Sequence, residues 1–420
     1  MSSFTDLTTR IASNAGILDY HLKSNEFKAP SFDENAESEF PNPEHDSYVE
    51  AARVALIDDT RALRDLVQGP AQVLRELCWG SIDLAVQRVI YHFKIHDAVP
   101  LQGSISYGEL AQKVGLPERQ VERFMRQSTL NGIFAEPKLG YIAHSAASAV
   151  LLRNKPMHDW YGHCLEELFL AGAKLADALD EHPGSEKPEE SAFSKAFDTT
   201  DPIFTFLEKH PDRQARFFGT MEGVGKEYGH SLLHVVNGYD WAALGKATVV
   251  DVGGSSGFVS AALAAQFAGL TFEVQDYKHT IEQGREQLSV ALQDRVAFVA
   301  HNFFDPQPTT ADVYILRHIC HNWSDSNSAK IIQQIVPAMK PSSKIVLVEV
   351  VVVPPKVVNS VQERYMRNVD ITMLQMLNTQ ERSAEDWQEV VALADPRLKI
   401  LSIHKPSESW DSLIEIGFAE

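Results

Sequence analysis

The chain has 420 residues, 44 % of them hydrophobic and 23 % charged, which fits an ordinary globular protein long enough for two or three domains. Its formal net charge of −19 works against a large phosphate-binding surface, and so against nucleic acid as a partner. Cys78, Cys164 and Cys320 form no CxxC pair, which argues against a disulfide framework or a zinc ribbon and for a reducing, cytoplasmic setting. No run of 18 apolar residues suggests a membrane span, and the N-terminus lacks the pattern of a secretory signal.

Residues 1–46 read as an N-terminal segment whose polar, proline-containing part, 21–46, is an extended or mobile linker. Ser47 and Glu50 then form a candidate capping box before a helix that stops at Gly69-Pro70, and an apolar helix pair follows. In the domain 47–150, the pattern over 104–150 is helix, turn, helix and hairpin: Ser106 and Glu109 cap the first helix, Pro117 opens the second, and a Lys138-Leu-Gly turn joins two alternating runs. That is a winged helix, with Arg119, Arg123 and Arg126 as the contacts a DNA-binding reading needs. The module carries five basic residues (Lys113, Arg119, Arg123, Arg126, Lys138) against four acidic ones (Glu109, Glu118, Glu122, Glu136). A net of +1 favours packing or dimerisation over DNA.

Residues 151–235 read as a helical connecting region lining a substrate pocket. Over 236–420 short β-branched runs alternate with helical stretches, the pattern of a Rossmann-like, doubly wound parallel sheet. After its first strand comes "DVGGSSG", with Gly253, Gly254 and Gly257 where a tight turn opens a helix. This is not the G-x-G-x-x-G of dinucleotide sites, and Asp251 at the strand end opposes a pyrophosphate. A carboxylate there suits a cationic ligand, and Asp276, ending the second strand, suits a ribose diol. The pair points to S-adenosylmethionine; the alternative is a turn that only packs strand on helix. Asn302 and Phe303, in "HNFFDPQP", are placed for adenine.

The fourth strand is read as "ADVYILRHIC", with His318 and Cys320 on one face and Arg317 and Ile319 on the other. A metal site needs three or four converging ligands, and no second cluster of histidines or cysteines accompanies this one, so no metal is expected. His321, at the end of the strand, is the candidate general base, with Glu349 or Glu381 as its acidic partner.

"DVGGSSG", "HNFFDPQP", "LRHICHNWSD" and "ERSAEDW" stand in the order and spacing of S-adenosylmethionine-dependent O-methyltransferases of the caffeate type, and the chain most resembles the fungal secondary-metabolite members. "DPIFTFL", "RFFGTMEG" and "YDWAALG" resemble that family's connecting region. The resemblance implies a homodimer through the N-terminal domain, a small-molecule acceptor, and no membrane or nucleic-acid partner. It assigns Gly253, Gly254, Asp276, Asn302, Phe303 and Arg317 to the cofactor, His321 to the proton, Glu381 to its partner, and Trp160, His163, Met373 and Met376 to the acceptor pocket. Three positions depart: Glu349 precedes Pro354 by five residues where four is usual, Asn302 replaces a common aspartate, and Asn322 replaces the aspartate usual after the base in plant members. Some relatives hold the cofactor yet catalyse dehydration or pericyclisation, which is the alternative activity.

Overall fold

Ser3 opens the first helix: its hydroxyl takes the N–H of Asp6, and the Asp6 carboxylate takes the N–H of Ser3. The computed structural model describes residues 3–43 and 45–419. They divide into two units, one of Met1–Leu170, His210–Gly223 and Asn359–Val361, the other of Ala171–Lys209, Val224–Val358 and Gln362–Glu420. Residues 151–235 are thus shared between the units.

In the first unit α1 (Phe4–Ser24) packs along α2 (Ser47–Gln68), with Leu18, Val49 and Ala52 buried together. Helix α1 therefore takes the first four residues of the expected linker. Further along it two carbonyls are tied down: the Ala146 N–H donates to Phe32 O at 2.9 Å and Arg153 to Glu34 O at 2.7 Å. The cap of α2 is Asp46, not Ser47, because its carboxylate accepts the Tyr48 N–H at 2.8 Å. Helix α3 (Pro70–His92) follows Gly69. Next come β1 (Ile105–Ser106), α4 (Tyr107–Val114), α5 (Glu118–Leu130), β2 (Phe134–Lys138) and β3 (Tyr141–His144), the strands pairing antiparallel in the order β1-β3-β2. The expected Ser106–Glu109 box is present. Leu110, Val121, Met125, Phe134 and Ile142 form its dry centre. Arg126, one of the three candidate DNA contacts, is held by Glu122 and Glu136.

The second unit carries the sheet that positions the site. Its strands are β4 (Ala247–Val252), β5 (Leu270–Asp276), β6 (Val296–Ala300), β7 (Val313–Arg317), β8 (Lys344–Glu349), β9 (Leu398–His404) and β10 (Ser412–Phe418), in the order β9-β10-β8-β7-β4-β5-β6. The five from β8 to β6 are parallel, β10 runs antiparallel to β8, and β9 runs antiparallel to β10. Apolar side chains on both faces bury it: Val250, Leu316 and Leu347 with Trp387 on one, Val249, Ile315 and Val348 with Leu263 on the other. The chain steps outward from β4 through β5 to β6, then returns to place β7 on the other side of β4. Strands β4 and β7 therefore flank the point where strand order reverses, and the loops leaving their carboxyl ends lie side by side where open sheets bind ligands.

Candidate active site

The glycine loop joins β4 to α6 (Phe258–Gln266). Gly253 has φ +70, and a Cβ there would lie 2.6 Å from Ile319 Cδ1; at Gly254 it would lie 2.5 Å from Asp251 Cγ. Asp251 is buried beneath this loop and accepts the Ser260 hydroxyl at 2.7 Å, fastening strand to helix. Burial pushes its carboxyl up to about 6, with Ser260 opposing. At the end of β5, Asp276 accepts the N–H of Ser255 at 2.9 Å through one oxygen and that of Tyr277 at 2.7 Å through the other. Each oxygen keeps a lone pair for a further donor.

Strand β7 ends at Arg317, three residues earlier than the sequence pattern predicts. His318 has φ +52, a left-handed conformation rare outside glycine. The chain turns there and enters a short 3-10 turn, Cys320–Asn322. His318 and Cys320 therefore do not share a strand face. The cause lies on β8: Glu349 Oε1 accepts the N–H of Ile319 at 3.0 Å and that of Cys320 at 2.8 Å, pulling the chain out of the ladder.

The turn places His321. Its Nδ1 lies 2.8 Å from Glu381 Oε1, and its carbonyl accepts the Thr379 hydroxyl at 2.8 Å. Of the two acids proposed as partner, Glu381 makes the hydrogen bond, while Glu349 is spent on the backbone. Burial works against a charge on His321, but Glu381 and then Glu349 outweigh it and raise the imidazole to about 9. Glu349 is pushed up to about 7 by burial, with His321 opposing and Glu381 adding. The Glu381 N–H donates to Asp370 at 3.0 Å, which fixes that side of the pair.

Arg382, whose role the sequence reading missed, locks the turn from below. Its buried guanidinium donates to Cys320 O at 3.0 Å, Trp323 O at 2.7 Å and Asp325 Oδ1 at 2.7 Å. Trp323, also missed, stands edge-on to Phe303 and Phe304, with centroids 5.9 and 4.8 Å away. Asn302 is exposed, and its Oδ1 accepts the Phe304 N–H.

His318 is held by a carboxylate from far along the chain. Its Nε2 lies 2.9 Å from Asp411 Oδ1, and His230 Nδ1 lies 3.0 Å from the other oxygen of that carboxylate. Arg317 sits beside them, donating to His230 O at 2.8 Å, while its buried Nε has no partner. One ligand atom each from His230, His318 and Asp411 lie within 4.8 Å, the spacing of a possible metal group. The two nitrogen–oxygen separations are hydrogen-bond lengths, and the guanidinium 4.0 Å from Asp411 already supplies a positive charge. Nothing in the local sequence joins Asp411 to His318 ninety-three positions earlier.

Of the four residues assigned to the acceptor, Met373 and Met376 lie on α7 (Ser360–Leu377) in the second unit, half-buried and buried respectively. Trp160 and His163 lie on a helix of the first unit, Lys155–His163. Trp160 is exposed. His163 is buried, with Nδ1 3.1 Å from Glu167, which also holds Arg213 and Arg216.

Residues 173–395 match the model of the O-methyltransferase domain family. The chain is 34 % identical to the O-methyltransferase bik3 of Gibberella fujikuroi, over 99 % of this chain and 93 % of that one. It belongs to the O-methyltransferase family. The chlorophenol O-methyltransferase of Trichoderma longibrachiatum is 32 % identical over 95 % of this chain and 87 % of its own. Among solved structures, OxaC in complex with sinefungin and meleagrin aligns over 98 % of this chain and 99 % of its own, with a TM-score of 0.75 at 19 % identity. A pericyclic reaction enzyme aligns over 98 % of this chain and all of its own, at 0.72 and 21 %. At these identities the two structures attest the fold alone.

The methyl donor of this methyltransferase is S-adenosylmethionine, and the residues present fit it. The glycine loop forms a cradle that a Cβ at Gly253 or Gly254 would fill, Asp276 keeps free lone pairs, and Arg317 carries an orphaned buried donor. No helix among the described residues is long and apolar enough to cross a membrane.

Proposed function

We propose that this enzyme methylates a phenolic or enolic hydroxyl of a small secondary metabolite, with His321 as general base. The carrying observation is the 2.8 Å contact of His321 Nδ1 with Glu381. The carboxylate accepts a hydrogen bond from Nδ1–H, so in the neutral ring Nε2 is left as the acceptor. A raised imidazole, at about 9, nearly matches a phenol at ~10, so the proton passes with little uphill cost. When bound, the donor supplies an electrophilic methyl group on a sulfonium. Gly253, Gly254, Asp276, Asn302, Phe303 and Arg317 are the residues we assign to hold it, with Asp251 supporting the loop from beneath. Trp323 joins Phe303 as an aromatic surface for adenine. Met373, Met376, Trp160 and His163 are our assignment for the acceptor. The name of the chlorophenol-methylating relative supports a phenolic hydroxyl.

Helix α3 presents Leu74, Leu77, Trp79 and Ile82, all more than half exposed. An apolar row of this kind is costly in water, and we assign it to a second copy of the chain, in a cytoplasmic homodimer.

The test is label transfer from methyl-labelled donor to a panel of phenols by wild type, His321→Ala and Glu381→Gln. We expect both variants to lose about 10²–10⁴-fold in kcat. Wild-type rates from His321→Ala would end the base assignment. Product mass separates the alternative activity: a gain of one methylene marks transfer, while an unchanged or dehydrated mass marks pericyclisation or dehydration.

A further inference from the structure

In the first unit two imidazoles meet head to head. His96 Nε2 and His158 Nε2 lie 3.2 Å apart, a hydrogen-bond length. His96 sits on the short helix Ile95–Ala98 and is buried; His158 lies on the helix Lys155–His163 and is half-buried. His96 Nδ1 faces the carbonyl of Ile90 at 3.4 Å, and a carbonyl only accepts, so that nitrogen carries a proton. The neutral His96 ring is then bare at Nε2, and His158 donates into it from its own Nε2. One proton fits between the facing nitrogens. A second sets two N–H groups against each other and adds positive charge.

The surroundings leave little room to absorb that change. Tyr91 of α3 packs on both rings, with centroids 5.6 Å from His96 and 5.0 Å from His158. A Cβ at Gly162 would overlap the Tyr91 hydroxyl, and one at Gly219 would overlap the Asp159 carboxylate, so the helix Lys155–His163 is packed to backbone contact on two sides. The rings therefore part only if that helix moves. Charged and titratable groups face the pair from each element around it. Lys94 and Asp97 flank His96 on its own turn, with Asp97 Oδ1 3.6 Å from Nε2. His144 of β3 stands beside His96 and is itself held by Ser148 and Val99 O. Asp159 Oδ1 lies 3.3 Å from His158 Nδ1, and its other oxygen takes Lys155. Arg216 stands against Tyr91. Burial holds His96 below its ordinary value; Asp97 and the Ile90 carbonyl oppose it, and His158 and Lys94 add to it.

We propose that this contact is an acid-labile latch: protonation of both rings breaks it and frees the helix Lys155–His163 from the end of α3. A ring kept neutral by the fold, but free to charge at about 6.5 in the unfolded chain, stabilises above that pH, and the stabilisation is lost as pH falls below it. His163 and His92 face Glu167 and Glu166 instead, so a proton on either meets a negative charge and not another N–H. The helix that is freed carries Trp160 and His163, our assignment for the acceptor, so on that reading acidification also loosens acceptor binding.

Hydrogen exchange of the full-length protein, read by mass spectrometry and corrected for the intrinsic rate, tests the latch. Between about pH 7.5 and about pH 5.5, wild-type amides of Lys155–His163 should lose about tenfold in protection, the worth of one pH unit below the free value. His158→Gln keeps an N–H for His96 and cannot take a second proton, so its protection should not change with pH. His96→Gln gives the same reading from the other side should the first variant fail to fold. Equal wild-type protection at the two values overturns the inference with no variant needed. So does a loss that persists in either folded variant, or one spread evenly over the first unit, which marks general acid unfolding. The acceptor assignment fails separately, by an acceptor KM unchanged in Trp160→Ala.

Discussion

Glu349 and Cys320 are joined by a hydrogen bond in which the side chain of one strand end fixes the backbone of the next turn, at 2.8 Å. The same carboxylate accepts the Ile319 N–H, and its second oxygen is buried with no partner. Glu349 thus acts twice, once through geometry and once through charge, since it also helps to raise His321.

These two roles separate by substitution. If His321 is the base, as proposed, the free enzyme carries a proton on it below about pH 9, so kcat/KM should climb from neutrality toward that pH. Glu349→Gln keeps an acceptor for the two N–H groups but removes the charge, so the limb should move to lower pH. Glu349→Ala leaves both N–H groups without this partner, and the buried one, that of Cys320, costs ~1–3 kcal/mol. Initial rates across pH and urea unfolding read the two effects. A wild-type profile that is flat from pH 7 to about 9 would contradict the account.

Gly254→Ala tests the loop. The added methyl meets Asp251, which is itself buried and anchored, so loop or strand must shift. We expect destabilisation of ~1–3 kcal/mol and weakened S-adenosylhomocysteine binding, read by thermal unfolding and calorimetry. Unchanged binding would show that the loop is not the cofactor cradle.

Leu77→Lys places a charge in the middle of the exposed row on α3, where Leu77 is 75 % exposed. If that row is the dimer face, light scattering should report a monomer with an unchanged circular dichroism spectrum. A dimer that persists moves the interface elsewhere.

Much of this architecture is legible in the chain. The alternation of β-branched and helical runs gives the parallel sheet, because strands buried on both faces must be apolar throughout. Glycines after the first strand mark the loop, since only they fit against Ile319 and Asp251. The end of β7 is not legible. "ADVYILRHIC" alternates well enough to continue, and what stops it is Glu349, thirty positions away from Ile319. For the same reason nothing near His318 in the sequence marks its partner: Asp411 comes from just before the last strand. Local pattern records what a segment must bury, but not which distant carboxylate will claim its N–H groups. Arg382 shows the same limit. Beside Glu381 in "ERSAEDW" nothing marks it, yet it is buried on two carbonyls of the turn that carries His321.

That guanidinium has a corollary. With Arg382 holding its carbonyls and Glu349 its amides, the turn that carries His321 is set by groups that need no acceptor present. On the reading proposed above, the base and the helix assigned to the acceptor then rest on different supports. Substitutions at Met373 or elsewhere on α7 should change which acceptor is used while the position of His321 stays as it is.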